Sequence, residues 1–120
     1  MIAKTYGGSV LGVDASIITV EVNVLKGTKM MIVGLPDSAV KESEQRVESS
    51  LKEYHYKMPR QKVVVNLAPA DVRKEGSAYD LPIALGILQA SNQLQTQFLS
   101  KYIVLGELAL DGTLRPIKGV

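Results

Sequence analysis

A polar, glycine-containing turn, Lys74-Glu75-Gly76-Ser77-Ala78-Tyr79, runs straight into Asp80-Leu81-Pro82-Ile83-Ala84-Leu85-Gly86-Ile87-Leu88, an apolar run with helical spacing. Leu81, Ala84, Leu85 and Leu88 fall on one stripe of a helix, and Ile83, Ile87 and Ala90 widen it. A helix this apolar has to be covered by protein, so the fold must wrap around it. Asp80 is the expected N-cap, its carboxylate accepting from an unpaired N–H of the first turn, where Pro82, lacking an N–H, is tolerated. The loop in front is then rigid, and rigid helix starts with Gly and Ser are where proteins place anion sites or nucleophiles.

The rest of the chain supplies the cover. Its 120 residues, 46% hydrophobic and 22% charged, suffice for one core, so one domain over 1–120 is expected. Short apolar pieces between Ile2 and Leu11 suggest a strand and a bend, with turn chemistry from Gly12 to Ala15. Ile18, Val20, Val22 and Val24 alternate with Thr19, Glu21 and Asn23, the pattern of a half-buried strand. Lys26-Gly27-Thr28 reads as the turn of a hairpin that returns over Lys29–Val33. After Gly34-Leu35-Pro36-Asp37-Ser38, the positions Val40, Ser43, Val47, Leu51 and Tyr54 recur at helical spacing and predict one amphipathic helix. Val63, Val64, Val65 and Leu67 predict an interior strand, closed by Ala68-Pro69-Ala70-Asp71. Beyond a polar exit over Gln89–Lys101, Tyr102–Leu105 predicts another strand, and Leu108–Leu110 a hairpin through Asp111-Gly112 to Thr113-Leu114-Arg115. Pro116 to Val120 stops with a loop half built. The expected class is α+β, a mixed, mostly antiparallel sheet with two main helices packed on one side.

Composition excludes several kinds of chemistry. With no cysteine there is neither a disulfide framework nor a thiolate metal site. A formal charge of +2 is far from that of a dedicated nucleic-acid binder. The N-terminus has no apolar signal region and no stretch is long enough to span a membrane, so a cytoplasmic protein without membrane contact is expected. No Gly-x-x-x-x-Gly-Lys-Ser/Thr occurs, nor a zinc or dinucleotide fingerprint, so no cofactor or metal is expected to bind these residues. Ser77 is the first candidate nucleophile, but a serine needs a base to activate it, and the reading its surroundings favour is a hydroxyl that bonds the loop. His55, the one histidine, reads as a helix-end residue. Arg60, Lys62, Arg73 and Lys74 bracket one strand, and would form a nucleic-acid rim only if they converged in space.

Several separate motifs carry a resemblance. Val13-Asp14-Ala15, Val33-Gly34-Leu35-Pro36-Asp37, Asn66-Leu67-Ala68-Pro69-Ala70-Asp71, Lys74-Glu75-Gly76, Tyr79-Asp80-Leu81-Pro82-Ile83-Ala84 and Gly106-Glu107-Leu108 resemble the N-terminal domain of the magnesium-chelatase-like AAA+ ATPases, the ComM/YifB competence-protein group. The resemblance implies a fold similar to the Lon protease domain and to domain 2 of ribosomal protein S5, with Gly76, Asp80, Pro82, Gly106 and Glu107 as structural motif residues. It implies a domain cut before its end and before an AAA+ module that would bind ATP and Mg²⁺. The implied partners are that module, further copies in a ring, and DNA handled during uptake and recombination. A Lon site uses a Ser/Lys dyad whose serine lies on the loop before the buried helix. Matching Lys74-Glu75-Gly76 to that loop puts Ala78, not Ser77, at the nucleophile's position, and the lysine's position lies beyond Val120. The domain is therefore expected to be catalytically silent, with a Ser77-dependent peptidase as the alternative.

Overall fold

Period-2 alternation builds two long strands, β1 (Ile2–Leu11) and β2 (Asp14–Leu25), paired antiparallel without a break from Ile2↔Asn23 to Leu11↔Asp14. The computed structural model describes residues 2–11 and 14–117; Gly12 and Val13 of the expected turn, and Lys118 to Val120, lie outside the described residues. Ile18, Val20 and Val22 of β2 are fully buried, and the residues between them face the other side of the sheet.

The next strand departs from expectation. β3 (Met30–Val33) does not return along β2; the sheet order is β1-β2-β4-β3, with β4 (Lys62–Ala68) in between. β4 is antiparallel to β2, Val22 facing Val65, and parallel to β3, Ile32 facing Val65. The competition is settled by burial. Val63, Val65 and Leu67 are 0–1% exposed in the interior position, whereas Met31 and Val33 of β3 stay exposed and suit an edge. A parallel β3–β4 pair requires a crossover, which the following helices supply.

The expected single helix is two, α1 (Ser38–Lys41) and α2 (Ser43–Glu53), meeting at Glu42. Asp37 caps α1 by accepting from the Val40 N–H at 2.8 Å. Val40, Val47 and Leu51 bury one common face in the core, with Ser43 and Ser50 beside them. α2 ends in a Schellman motif: Tyr56 N–H donates to the Leu51 carbonyl at 2.8 Å and His55 N–H to Lys52 at 3.0 Å. His55 takes the left-handed position, φ 64°, and is thus the helix-end residue expected.

α3 (Asp80–Ala90) is the buried helix of the opening prediction and packs across β1 and β2. Its close approach depends on Gly86, where a Cβ would stand 2.6 Å from Val22 Cγ2. Thr5, buried on β1, donates its hydroxyl to the Pro82 carbonyl at 2.8 Å. One detail is corrected. Asp80 is the first helical residue rather than the N-cap; Tyr79 precedes it without a side-chain cap, because the Asp80 carboxylate is engaged elsewhere.

Tyr102–Leu105 does not form the expected strand. Its Val104 N–H donates to the Tyr6 carbonyl at 2.7 Å, beside the β1 edge. No ladder develops because Gly106 is drawn to the start of α3, its N–H donating to Ala78 at 3.0 Å and its carbonyl accepting from Leu81 at 3.1 Å. β5 (Glu107–Leu108) and β6 (Leu114–Arg115) then pair antiparallel about Asp111-Gly112, as the sequence suggests. The architecture is α+β, a mixed and mostly antiparallel sheet covered by α2 and α3.

Candidate functional site

The loop from Lys74 to Tyr79 is held at three points. At its start, Pro36 and Lys74 form a parallel bridge, with Asp37 N–H donating to the Lys74 carbonyl and Lys74 N–H to the Leu35 carbonyl, both at 3.0 Å. The Asp37 carboxylate, already capping α1, also accepts from Gly76 N–H at 3.3 Å. Gly76 adopts φ 85°, a conformation a side chain would strain.

Lys74 itself is a correction to the sequence reading. Its side chain is 0% exposed, and the ammonium donates to the carbonyls of Gly34, at 2.7 Å, and of Pro69. It joins the outgoing ends of β3 and β4. Burial pushes its pKa down, with Asp71 acting in the opposite direction. Lys74 is therefore unable to contact a nucleic acid.

The second anchor is Asp80, also 0% exposed. One carboxylate oxygen accepts from Ser43 Oγ at 2.5 Å and from an Arg46 terminal nitrogen at 3.1 Å; the other accepts from Arg46 Nε at 2.6 Å and from Leu108 N–H at 3.0 Å. The same guanidinium donates to the Ala39 carbonyl at 2.8 Å. Hydrogen bonding to Asp80 raises the Arg46 pKa above its ordinary value. Two helices and β5 are thereby tied to the start of α3 by one desolvated, fully bonded carboxylate. The sequence carried a usable signal for this: Ser43 is a polar residue in the apolar stripe of α2, and Arg46 follows one turn later on the same face.

The third anchor is Ser77, whose hydroxyl donates to the Glu107 carboxylate. Glu107 in turn lies 3.7 Å from Arg115 Nε. Ala78 is fixed through its carbonyl by Gly106, and Tyr79, 2% exposed, packs against Gly7. Burial raises the Tyr79 pKa. The structure thus brings Gly76, Ser77, Ala78, Asp80, Gly106 and Glu107 together around one loop, with Pro82 on the first turn behind it. It does not bring together the four rim cations. Arg60 precedes β4, Lys62 lies on the face of β4 opposite Val63, Arg73 lies past the far end and pairs with Glu75 at 3.4 Å, and Lys74 is buried. Lys62 opens β4, and the rest of that strand lies between it and Arg73 and Lys74.

Among the described residues no group of three or more His, Cys, Asp and Glu side chains gathers as metal ligands, and no helix is long and apolar enough to cross a membrane.

Comparison with known proteins places these motifs. The family described as subunit ChlI of Mg-chelatase matches residues 20–120. Competence protein ComM of Haemophilus influenzae is 45% identical over 120 residues, covering 99% of this chain and 24% of that protein. The uncharacterized protein YifB of Escherichia coli is 50% identical over 110 residues, 91% of this chain and 22% of that protein. An uncharacterized Mycobacterium tuberculosis protein is 33% identical over 120 residues. The chain spans about a quarter of the length of these curated relatives.

Proposed function

Because this chain belongs to the family of subunit ChlI of Mg-chelatase, and to its ComM/YifB group, we propose that it is the non-catalytic, assembly or substrate-engaging domain of an ATP-driven motor. The full-length motor remodels DNA, and the name of the Haemophilus relative, a competence protein, supports uptake and recombination as the setting. The partners in this reading are the chain's own AAA+ module, further copies in a ring, and DNA, in the cytoplasm.

The observation that carries the non-catalytic part is the bonding of the Ser77–Ala78 loop. Serine becomes a nucleophile when a base removes its proton. The Ser77 hydroxyl points at a carboxylate, Glu107, a far weaker base than an amine, and the nearby Lys74 amine is committed to Gly34 and Pro69. Alanine occupies the next position, with its carbonyl bonded to Gly106. The loop acts as a scaffold that presents the start of α3 to β5.

ATP and Mg²⁺ belong to residues other than these, since the 120 residues contain no Gly-x-x-x-x-Gly-Lys-Ser/Thr. Calorimetric titration with ATP and Mg²⁺ tests this division of labour. This chain is expected to give no saturable heat, while the full-length protein gives Mg²⁺-dependent binding and DNA-stimulated ATP turnover. Tight, Mg²⁺-dependent ATP binding to this chain alone would overturn the reading.

A second reading, a Ser77-dependent peptidase, is favoured only by the Ser77–Glu107 hydrogen bond. It requires a base that the bonding around this loop does not provide.

A further inference from the structure

The C-terminal ends of α2 and α3 meet at an open cleft of about 1030 Å³, between them and the start of β4. We propose that this cleft is a binding groove for the phosphate backbone of single-stranded nucleic acid. The inference rests on the nucleic-acid part of the function proposed above.

Three basic residues line the cleft, Lys52, Lys57 and Arg60, and no acidic residue does. Lys52 is paired with Glu48 at 3.0 Å; Lys57 and Arg60 form no ion pair within 4.0 Å among the described residues. Cations near helix C-termini ordinarily serve the unsatisfied carbonyls there. Here that service is already rendered. α2 closes with the Schellman bonds described above, and α3 does the same, Gln93 N–H donating to Leu88 at 2.8 Å and Asn92 N–H to Gln89 at 3.2 Å, with Asn92 at φ 60°. The Lys57 and Arg60 charges are therefore surplus to the fold.

The backbone that carries Lys57 is fixed. The Gln93 amide clamps Lys57 like a neighbouring strand, accepting from its N–H at 2.7 Å and donating to its carbonyl at 2.6 Å. Tyr56, 43% exposed at the cleft, offers a ring for a base to stack on. Two cations without ion pairs, one of them on a fixed backbone, an exposed aromatic ring and an open rather than enclosing shape suit a polymer of phosphates better than a small metabolite or an acidic peptide, which has no bases to stack.

Fluorescence anisotropy with a labelled oligothymidylate, at low and rising salt, tests this on the protein as it stands. Binding is expected at low salt. The double substitution Lys57→Glu, Arg60→Glu is expected to weaken it by about tenfold or more and to flatten the log–log salt slope by about 1.4, the loss of two single-strand phosphate contacts. Tyr56→Ala is expected to weaken it without changing the slope. The charge-matched double substitution Lys41→Glu, Lys101→Glu, away from the cleft, is expected to change affinity less than twofold. Circular dichroism melting controls for folding, and Lys57→Gln, Arg60→Gln replaces the first pair if that fails to fold. Equal losses from both charge-matched pairs, no binding at low salt, or polyglutamate competing as well as oligothymidylate would each overturn the proposal. Absent oligonucleotide binding here counts against the cleft and not against the motor. Absent DNA-stimulated ATP turnover by the full-length protein counts against the motor and not against the cleft.

Discussion

Asp80 and Lys74 are both buried, and each satisfies polar groups that would otherwise be left without a partner. The Asp80 carboxylate accepts from Ser43, Arg46 and Leu108, so Asp80→Ala would strand a guanidinium, a hydroxyl and a backbone N–H at once. Breaking such a buried pair costs about 3–5 kcal/mol, a large part of a small domain's stability. Urea denaturation should show that loss, while Glu53→Ala on the exposed end of α2 should change stability by less than about 0.5 kcal/mol. Lys74 bonds two carbonyls, and a neutral amine still has two N–H donors for them. Lys74→Met leaves both carbonyls without that donor, at a cost of about 2 kcal/mol or more. The pH dependence has a definite sign. Burial puts the folded pKa of Lys74 below its ordinary value of 10.5, so the folded state binds fewer protons than the unfolded state between those two values, and stability rises with pH across that window. The advantage of the parent over Lys74→Met should grow as the pH rises toward the ordinary lysine value of 10.5. A constant or shrinking difference would contradict the burial of this amine. Above its ordinary value of 10.0, Tyr79, with its pKa raised by burial, acts the other way, because the unfolded chain loses that proton first.

Among the elements, α3 buries eight of its 11 residues, packed across β1 and β2. Gly86→Ala should destabilise the protein by about 1–3 kcal/mol despite alanine's better helix propensity, because the new methyl would meet Val22 at 2.6 Å. A double-mutant cycle with Val22→Ala should return a coupling of at least about 0.5 kcal/mol, and additivity would show that the two do not touch. This helix was legible in the sequence because its signal is local: an apolar run with one period, entered from a glycine turn. β2, β4 and the β5–β6 hairpin were legible for the same reason. The place of β3 was not, since adjacency in sequence favours a hairpin while the burial of Val63, Val65 and Leu67 puts β4 in the middle of the sheet. The Tyr102–Leu105 segment has strand-like residues, but Gly106 is held at the start of α3, a long-range bond that no local pattern announces. At the site, Gly76, Asp80, Pro82, Gly106 and Glu107, named from the resemblance as structural motif residues, lie at or behind one loop, an arrangement that no local pattern in the sequence announces. The use of Asp80 was misread because a helix-start aspartate serves equally well as a cap or as a tertiary anchor. Lys74 was misread because lysine is ordinarily a surface residue.

For the whole molecule, these anchors converge on one loop. Lys74 joins the ends of β3 and β4, Asp80 joins α1, α2 and β5 to α3, and Gly106 closes the segment between them. Rigidity of this kind would suit an active site, and the resemblance to a protease loop makes that alternative concrete. The bonding of Ser77 and the alanine after it favour a scaffold. The cations gather at the opposite end of β4, at the cleft between the helix ends. The direct measurement is reaction of the protein with a fluorophosphonate probe, followed by mass spectrometry of the peptide containing Ser77. No adduct at Ser77 is expected, in this chain or in the full-length protein. An adduct on Ser77 that disappears in Ser77→Ala would contradict the scaffold reading.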